Sequence, residues 1–170
     1  MIAERQGEAM TQQNGASDYA ERPNRWPLPP VIFGLSLALG FGLDSLARVA
    51  LPAPGIAKLL GALALGAGLA LVLWSSSTLS RARTAILPHH PATRLVTSGP
   101  FAWSRNPIYL GELCLIAGFG GVEGSLAYLV AAAVFIMAMT HFAIRREEAH
   151  LAARFGAEWE AYAARVRRWV

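Results

Sequence analysis

Apolar residues in this chain are gathered into long runs, and the runs are separated by prolines, glycines and arginines. Val31 to roughly Leu51 is the first run, entered through Pro27, Pro29 and Pro30, and it reaches the about 20 residues a bilayer-crossing helix needs. Asp44 and Arg48 interrupt its far end one helical turn apart, a spacing that suits an interfacial ion pair. Pro52 and Pro54 turn the chain, and Gly55 to about Thr78 makes a second run with Trp74 as an interfacial anchor. Small residues recur along it at four-residue spacing: Ala57 with Gly61, Ala64 with Gly68, and Ala62 with Gly66 and Ala70. Such ridges let helix backbones approach closely in lipid. The third run, Pro107 to about Phe119, has about 13 residues and would be only ~20 Å long as a helix. It either stops part-way, is lengthened by Gly120-Gly121, or lies in a thinned pocket between other helices. Leu126 to about Ile144 is the fourth, opened by a short acidic turn at Glu123 and by Gly124-Ser125.

Beyond Arg145 the pattern changes. Leu151, Phe155, Trp159, Tyr162 and Val166 return every three or four residues, which predicts an amphipathic helix broken at Gly156. Its apolar face can lie on the membrane or cap the preceding loop, and Arg165, Arg167, Arg168 and Trp169 suit lipid headgroups. Met1 to Arg25 is polar and has no apolar stretch of the kind a cleaved signal carries, so residues 1–26 read as a disordered tail. Residues 27–170 then form one all-α domain, a polytopic membrane helix bundle of about four transmembrane helices followed by a C-terminal amphipathic helix in the cytoplasm.

Composition sharpens this. Hydrophobic residues make up 54% and charged residues 15%, and the segregation of the two into spans and loops excludes a water-soluble domain with an ordinary core. The net charge of +4 is concentrated at the ends of the apolar runs, which points to an anionic bilayer surface over nucleic acid. Arginines fall in the tail, in the Arg81–Arg105 loop and beyond Arg145, while the Glu123 turn carries none. The positive-inside rule therefore places both termini in the cytoplasm of a multi-pass protein of an inner or plasma membrane. Cys114 is the single cysteine, so neither an intrachain disulfide nor a cysteine-built metal site is expected.

The chemistry-bearing residues lie in two places. In Leu95–Gly111, LVTSGPFAWSRNPIYLG, Gly99 and Pro100 bend the backbone and Asn106-Pro107 restarts a helix. Arg105 thus stands one step outside a helix start, where a guanidinium beside unpaired N–H groups can receive a carboxylate or phosphate, or can simply snorkel. Glu112 is an ionisable group inside an apolar run and so a functional candidate. At the exit of the fourth run stand Glu147 and Glu148. Helical spacing puts Met137, His141, Arg145 and Glu148 on one face, and His141 is the nearest proton acceptor if the substrate must lose a proton. Arg145 and Arg146 can neutralise the carboxylates, so a solvated surface cluster stays open beside a catalytic one.

Together these motifs resemble a family. The Leu-Val-Thr-Ser-Gly turn leading to Arg-x-Pro-x-Tyr-x-Gly resembles the signature of the isoprenylcysteine carboxyl methyltransferases. The Asn-Pro-x-Tyr-x-Gly form and the Gly-x-Gly of the preceding span resemble the phosphatidylethanolamine N-methyltransferases. Both families end their last span on a Glu-Glu pair followed by Leu and Phe-Gly, here Glu147-Glu148, Leu151 and Phe155-Gly156. The resemblance covers about Gly61 to the end and implies an integral-membrane methyltransferase using S-adenosylmethionine. It implies that Gly66, Gly68, Gly99, Glu147 and Glu148 bind the cofactor and that Arg105 and Tyr109 act at the reacting centre, with no metal. Asn106 replaces the histidine of the carboxyl methyltransferases, so prenylcysteine is not implied as the acceptor. A lipid-like or small apolar acceptor is expected, methylated on oxygen, nitrogen or sulfur. Two alternatives stay open: an NADPH-dependent sterol-reductase-like enzyme, whose Arg-x-Pro-x-Tyr-x-Gly-Glu stretch Glu112 would complete, and a non-catalytic membrane scaffold.

Overall fold

The computed structural model describes residues 28–85 and 92–170. The expected tail, Pro27 and His89-His90 lie outside the described residues. Among these residues six α-helices follow in order: α1 Leu28–Leu46, α2 Pro54–Arg81, α3 Pro107–Glu123, α4 Leu126–Met139, α5 Arg145–Phe155 and α6 Ala157–Arg165. A 3-10 turn, Gly99–Ala102, precedes α3, and a π-helical segment, Thr140–Ile144, joins α4 to α5 without a break. Among the described residues three stretches are long and apolar enough to cross a membrane: Leu28–Leu46, Pro54–Arg81 and Leu126–Phe155.

Pro29 and Pro30 fall in the first turn of α1, where a missing N–H costs no helical bond. Its helix ends at Leu46 and not near Leu51, because Leu51 N–H donates to Gly124 O and Leu126 N–H to Val49 O. The third run is longer than its apolar residues suggest: α3 carries on through Gly120-Gly121 to Glu123, 17 residues. Gly124 closes it at φ 67°, a left-handed conformation that costs a glycine little. Ser125 caps α4 by accepting from Ala127 N–H, and its hydroxyl donates to Asp44 at 2.6 Å. Arg48 pairs with Asp44 at 4.0 Å, as the i, i+4 spacing predicts, and also donates to Glu123 O. These contacts bolt one end of the bundle.

The bundle packs in the order α2, α3, α4, α1. Between α2 and α3 the backbones nearly touch: a Cβ on Gly61 would meet Gly118 O at 2.6 Å, and one on Gly68 would meet Gly111 O at 2.7 Å. As Gly61 leads to Gly68 the partner falls from Gly118 to Gly111, so the two helices run antiparallel. Ile32, Ile116, Phe135, Met139, Ala143 and Ile144 form the main core between α1, α3 and α4. A second, smaller core of Trp159, Tyr162 and Val166 closes on Leu95 and Leu151 at the other end of the molecule from the Asp44 contacts. The apolar stripe of the last helices therefore caps the loop.

Candidate active site

Three pieces of chain meet where the two cores adjoin. The first is the turn before α3. Gly99 takes φ 62°, with Thr78 Oγ1 3.4 Å from where a Cβ would stand, so the turn lies against the end of α2. Pro100 and Phe101 are buried behind it. Asn106 occupies the cap position of α3 and Pro107 the first helical one, so the residues just before them point away from the helix axis. The second piece is the start of α5, and the third is α6 with the extended residues that follow it.

Arg105 sits at the junction. Its guanidinium contacts Glu148 Oε1 through Nη1 at 3.1 Å and lies 5.7 Å from the centre of the Trp159 ring. Only 16% of the side chain is exposed, and its Nε is buried with no hydrogen-bond partner among the described residues. Glu148 is also held by Arg168, whose Nε reaches Oε1 at 3.0 Å and whose Nη2 reaches Oε2 at 2.5 Å. One carboxylate thus carries two cations. Glu147 differs: its Oε1 accepts from the Tyr109 hydroxyl at 2.6 Å. Tyr162 donates to Phe101 O at 2.7 Å, fixing α6 to the turn, and burial pushes its phenol up to about 12, so it stays a donor.

Around these groups lies an open cleft of about 880 Å³, mouth included. Arg105, Asn106, Tyr109, Glu147, Glu148 and His150 form its polar wall, and Leu79, Leu95, Val96, Ile108, Leu151 and Trp159 its apolar one. Four of the residues singled out from the sequence, Arg105, Tyr109, Glu147 and Glu148, are brought together there.

The others are not. Gly99 supports the turn but does not line the cavity. Gly68 is buried against α3, while a Cβ on Gly66 would meet nothing within 4 Å. Residues two apart on a helix are turned by about 200°, so one ligand cannot lie against both. His141 is exposed, edge-on to Phe142, on the π segment. Each π turn takes about one residue more than an α turn, so the face presented after Ile144 is offset by roughly 100° from the α-helical register. Met137, His141 and Arg145 face outward, and the offset takes Glu148 off their face and into the cavity. Glu112 is outside the cavity lining, with Oε2 buried and unpartnered among the described residues. His150, Trp159, Tyr162 and Arg168 are contributors that the sequence does not mark as site residues: spacing reads Trp159 and Tyr162 as an apolar face, and Arg168 reads as headgroup-facing. Among the described residues no group of three or more His, Cys, Asp or Glu is placed to hold a metal ion.

The model of the family described as phospholipid methyltransferase matches residues 56–158, which contain α3, α4, α5 and the Gly99 turn. The nickel-cobalt-cadmium resistance protein NccN of Alcaligenes xylosoxydans xylosoxydans is 35% identical over 75 residues, 44% of this chain and 35% of that protein. The cobalt-zinc-cadmium resistance protein CzcN of Cupriavidus metallidurans is 39% identical over 72 residues, 42% of this chain and 33% of its own length. An uncharacterized protein of Haemophilus influenzae is 40% identical over 58 residues, 34% of this chain and 90% of that protein. The chain thus spans about a third of the length of the two metal-resistance proteins. No solved structure matches.

Proposed function

The chain belongs to the phospholipid methyltransferase family, and we propose that it methylates a lipid-like or small apolar acceptor with S-adenosylmethionine, using the Arg105–Tyr109–Glu147–Glu148 cavity. The observation that carries this reading is one cavity holding a guanidinium with an unpartnered buried Nε, a pair of carboxylates and an apolar wall. That set fits the cofactor, which carries a carboxylate, an ammonium and an adenine and, when bound, supplies an electrophilic methyl group on sulfur. Arg105 Nε is a ready donor for a carboxylate, and a planar guanidinium receives one better than an ammonium would. Glu147 and Glu148 supply the anionic side for an ammonium or ribose, and Leu95, Val96 and Leu151 a surface for a flat ring.

Within such a site the protein's work is to orient two reactants and exclude water. Positive charge on sulfur fades as the methyl group leaves, so a carboxylate against it would stabilise the ground state more than the transition state. The carboxylates are therefore assigned to the polar ends of the cofactor. Tyr109, fixed by its bond to Glu147, presents a ring to the reacting centre. His141 faces away from the cavity and has no part in this scheme. The loop arginines and those of α5 and α6 share one end of the bundle, which we place in the cytoplasm. The acceptor reaches the cavity from the bilayer between the helices.

Calorimetric titration of the protein in phospholipid nanodiscs tests this. S-adenosylmethionine and S-adenosylhomocysteine are expected to bind saturably, and Arg105→Gln to weaken both while the protein remains folded by circular dichroism. Binding of NADPH in their place would transfer the site to a reductase, and binding of none of the three would leave a scaffold.

A further inference from the structure

Glu148 has no free oxygen to offer. The Arg168 guanidinium spans both of its oxygens, and Arg105 shares Oε1. Arg168 comes from Val166–Val170, five residues after α6 that leave the helix at Val166 with φ −113° and ψ 130°. The segment is laid across the turn before α3: Arg105 N–H donates to Arg167 O at 2.9 Å and Asn106 Nδ2 to Arg168 O at 2.9 Å, with Ser104 Oγ at a long 3.5 Å from the same oxygen. Val166 is anchored in the smaller core and Trp169 lies against the larger one.

We propose that Val166–Val170 is a strap latched to the Arg105–Glu148 wall of the cavity, whose lining it does not join, with the Arg168 guanidinium holding on Glu148 the place that a ligand's ammonium takes. This rests on the methyltransferase reading of the same cavity. Three features make Arg168 the group that yields. Its side chain is 36% exposed against 16% for Arg105, so water can receive it as it leaves. The strap has no secondary structure of its own and is tied to the turn by a few hydrogen bonds, whereas Arg105 is continuous with the α3 start and lies over Trp159. Finally, exchanging one cation for another on a carboxylate leaves the local charge unchanged, so Arg105 is not stranded beside an uncompensated site. Asn106 has a definite part here: it lines the cavity, and its Nδ2 is committed to Arg168 O of the strap.

Such a strap lowers apparent affinity by the fraction of time it is open, so a strap open one time in ten weakens binding about tenfold. The test is titration of S-adenosylhomocysteine into wild type and Arg168→Gln in nanodiscs, together with hydrogen exchange of the wild type alone. Arg168→Gln is expected to bind several-fold to about tenfold more tightly, and ligand is expected to speed exchange of the Arg105 amide, which is released when Arg167 O withdraws. Equal or weaker binding by Arg168→Gln, or slower exchange at Arg105 on binding, would overturn the strap and leave Arg168 a fixed partner of Glu148. Should the variant not fold, the exchange result on wild type still decides. Absence of binding in both proteins would instead remove the methyltransferase reading, and the strap with it.

Discussion

Tyr162 illustrates how single residues fasten this site. Its ring packs edge-on to Trp159 with centroids 5.7 Å apart, and its hydroxyl donates to Phe101 O across the chain. Burial raises its phenol from 10.0 to about 12, with Arg105 acting weakly in the opposite sense. An acid whose folded pKa lies above its unfolded one contributes stability that is complete below the unfolded value and is lost as pH climbs to the folded one. Wild type is therefore expected to lose thermal stability between pH 10 and about 12 more steeply than Tyr162→Phe, measured by melting in detergent across that range. Parallel curves would show that the phenol is not the group responsible. At this scale the sequence is informative where residues act near one another in the chain. Arg105, Tyr109, Glu147 and Glu148 are legible from a turn, a helix start and a span exit, and they do converge. Arg168 and His150 are not, because what gives them meaning is a contact some twenty to sixty residues away. The basic-aromatic end of the chain reads as headgroup-facing until Glu148 is seen to take one of its arginines.

Among the elements, the π segment and the α2–α3 contact decide what faces the cavity. Periodicity assumes a constant 3.6 residues per turn, so a five-residue π segment is invisible to it, and that segment parts Glu148 from the exposed face of Met137 and His141. Small-residue spacing marks close helix packing at Gly61 and Gly68, whereas the Ala62, Gly66 and Ala70 ridge is exposed, so the geometry separates the two glycines that the Gly-x-Gly motif joins. Gly66→Ala adds a methyl group to open space and removes a helix-weakening glycine, worth up to about 1 kcal/mol. Gly68→Ala places a Cβ 2.7 Å from Gly111 O and 3.0 Å from Cys114 Cβ, both of which belong to the facing helix. The first substitution is expected to leave stability unchanged or raised, and the second to lower it by roughly 1–3 kcal/mol, in equilibrium unfolding by SDS in mixed micelles. S-adenosylhomocysteine binding by Gly66→Ala should match wild type. A loss there would put the cofactor on the outer face of α2.

For the molecule as a whole the open issue is how a 17-residue helix lies among longer ones. At ~1.5 Å per residue α3 is about 26 Å long, a little short of the ~30 Å hydrocarbon core, while α1 is about 28 Å and α2 about 42 Å. Yet α3 ends where α1 ends, since Asp44, Arg48 and Val49 all bond to residues 123–126. If α1 crosses, α3 beside it is expected to reach the same depth, with the bilayer thinned or the helices tilted by a few ångströms to suit. Ten arginines of the described residues stand at or near the site end, from Arg81 through Arg168, whereas Arg48 and Lys58 are the cations at the other. Two opposite faces with unequal positive charge are what orientation follows. In a Cys114→Ala background, a cysteine placed at Arg94 and one placed at Val170 are expected to react with a membrane-impermeant maleimide from the cytoplasmic side, and one placed at Glu123 from the opposite side. Labelling of all three from one side would make α3 a re-entrant hairpin with α4, and the Asp44–Ser125 bond would then lie at mid-membrane, where a charged carboxylate and its partner would have to be buried in protein without lipid contact. Asp44 is only partly buried and Arg48 is mostly exposed, which a headgroup region tolerates and hydrocarbon does not.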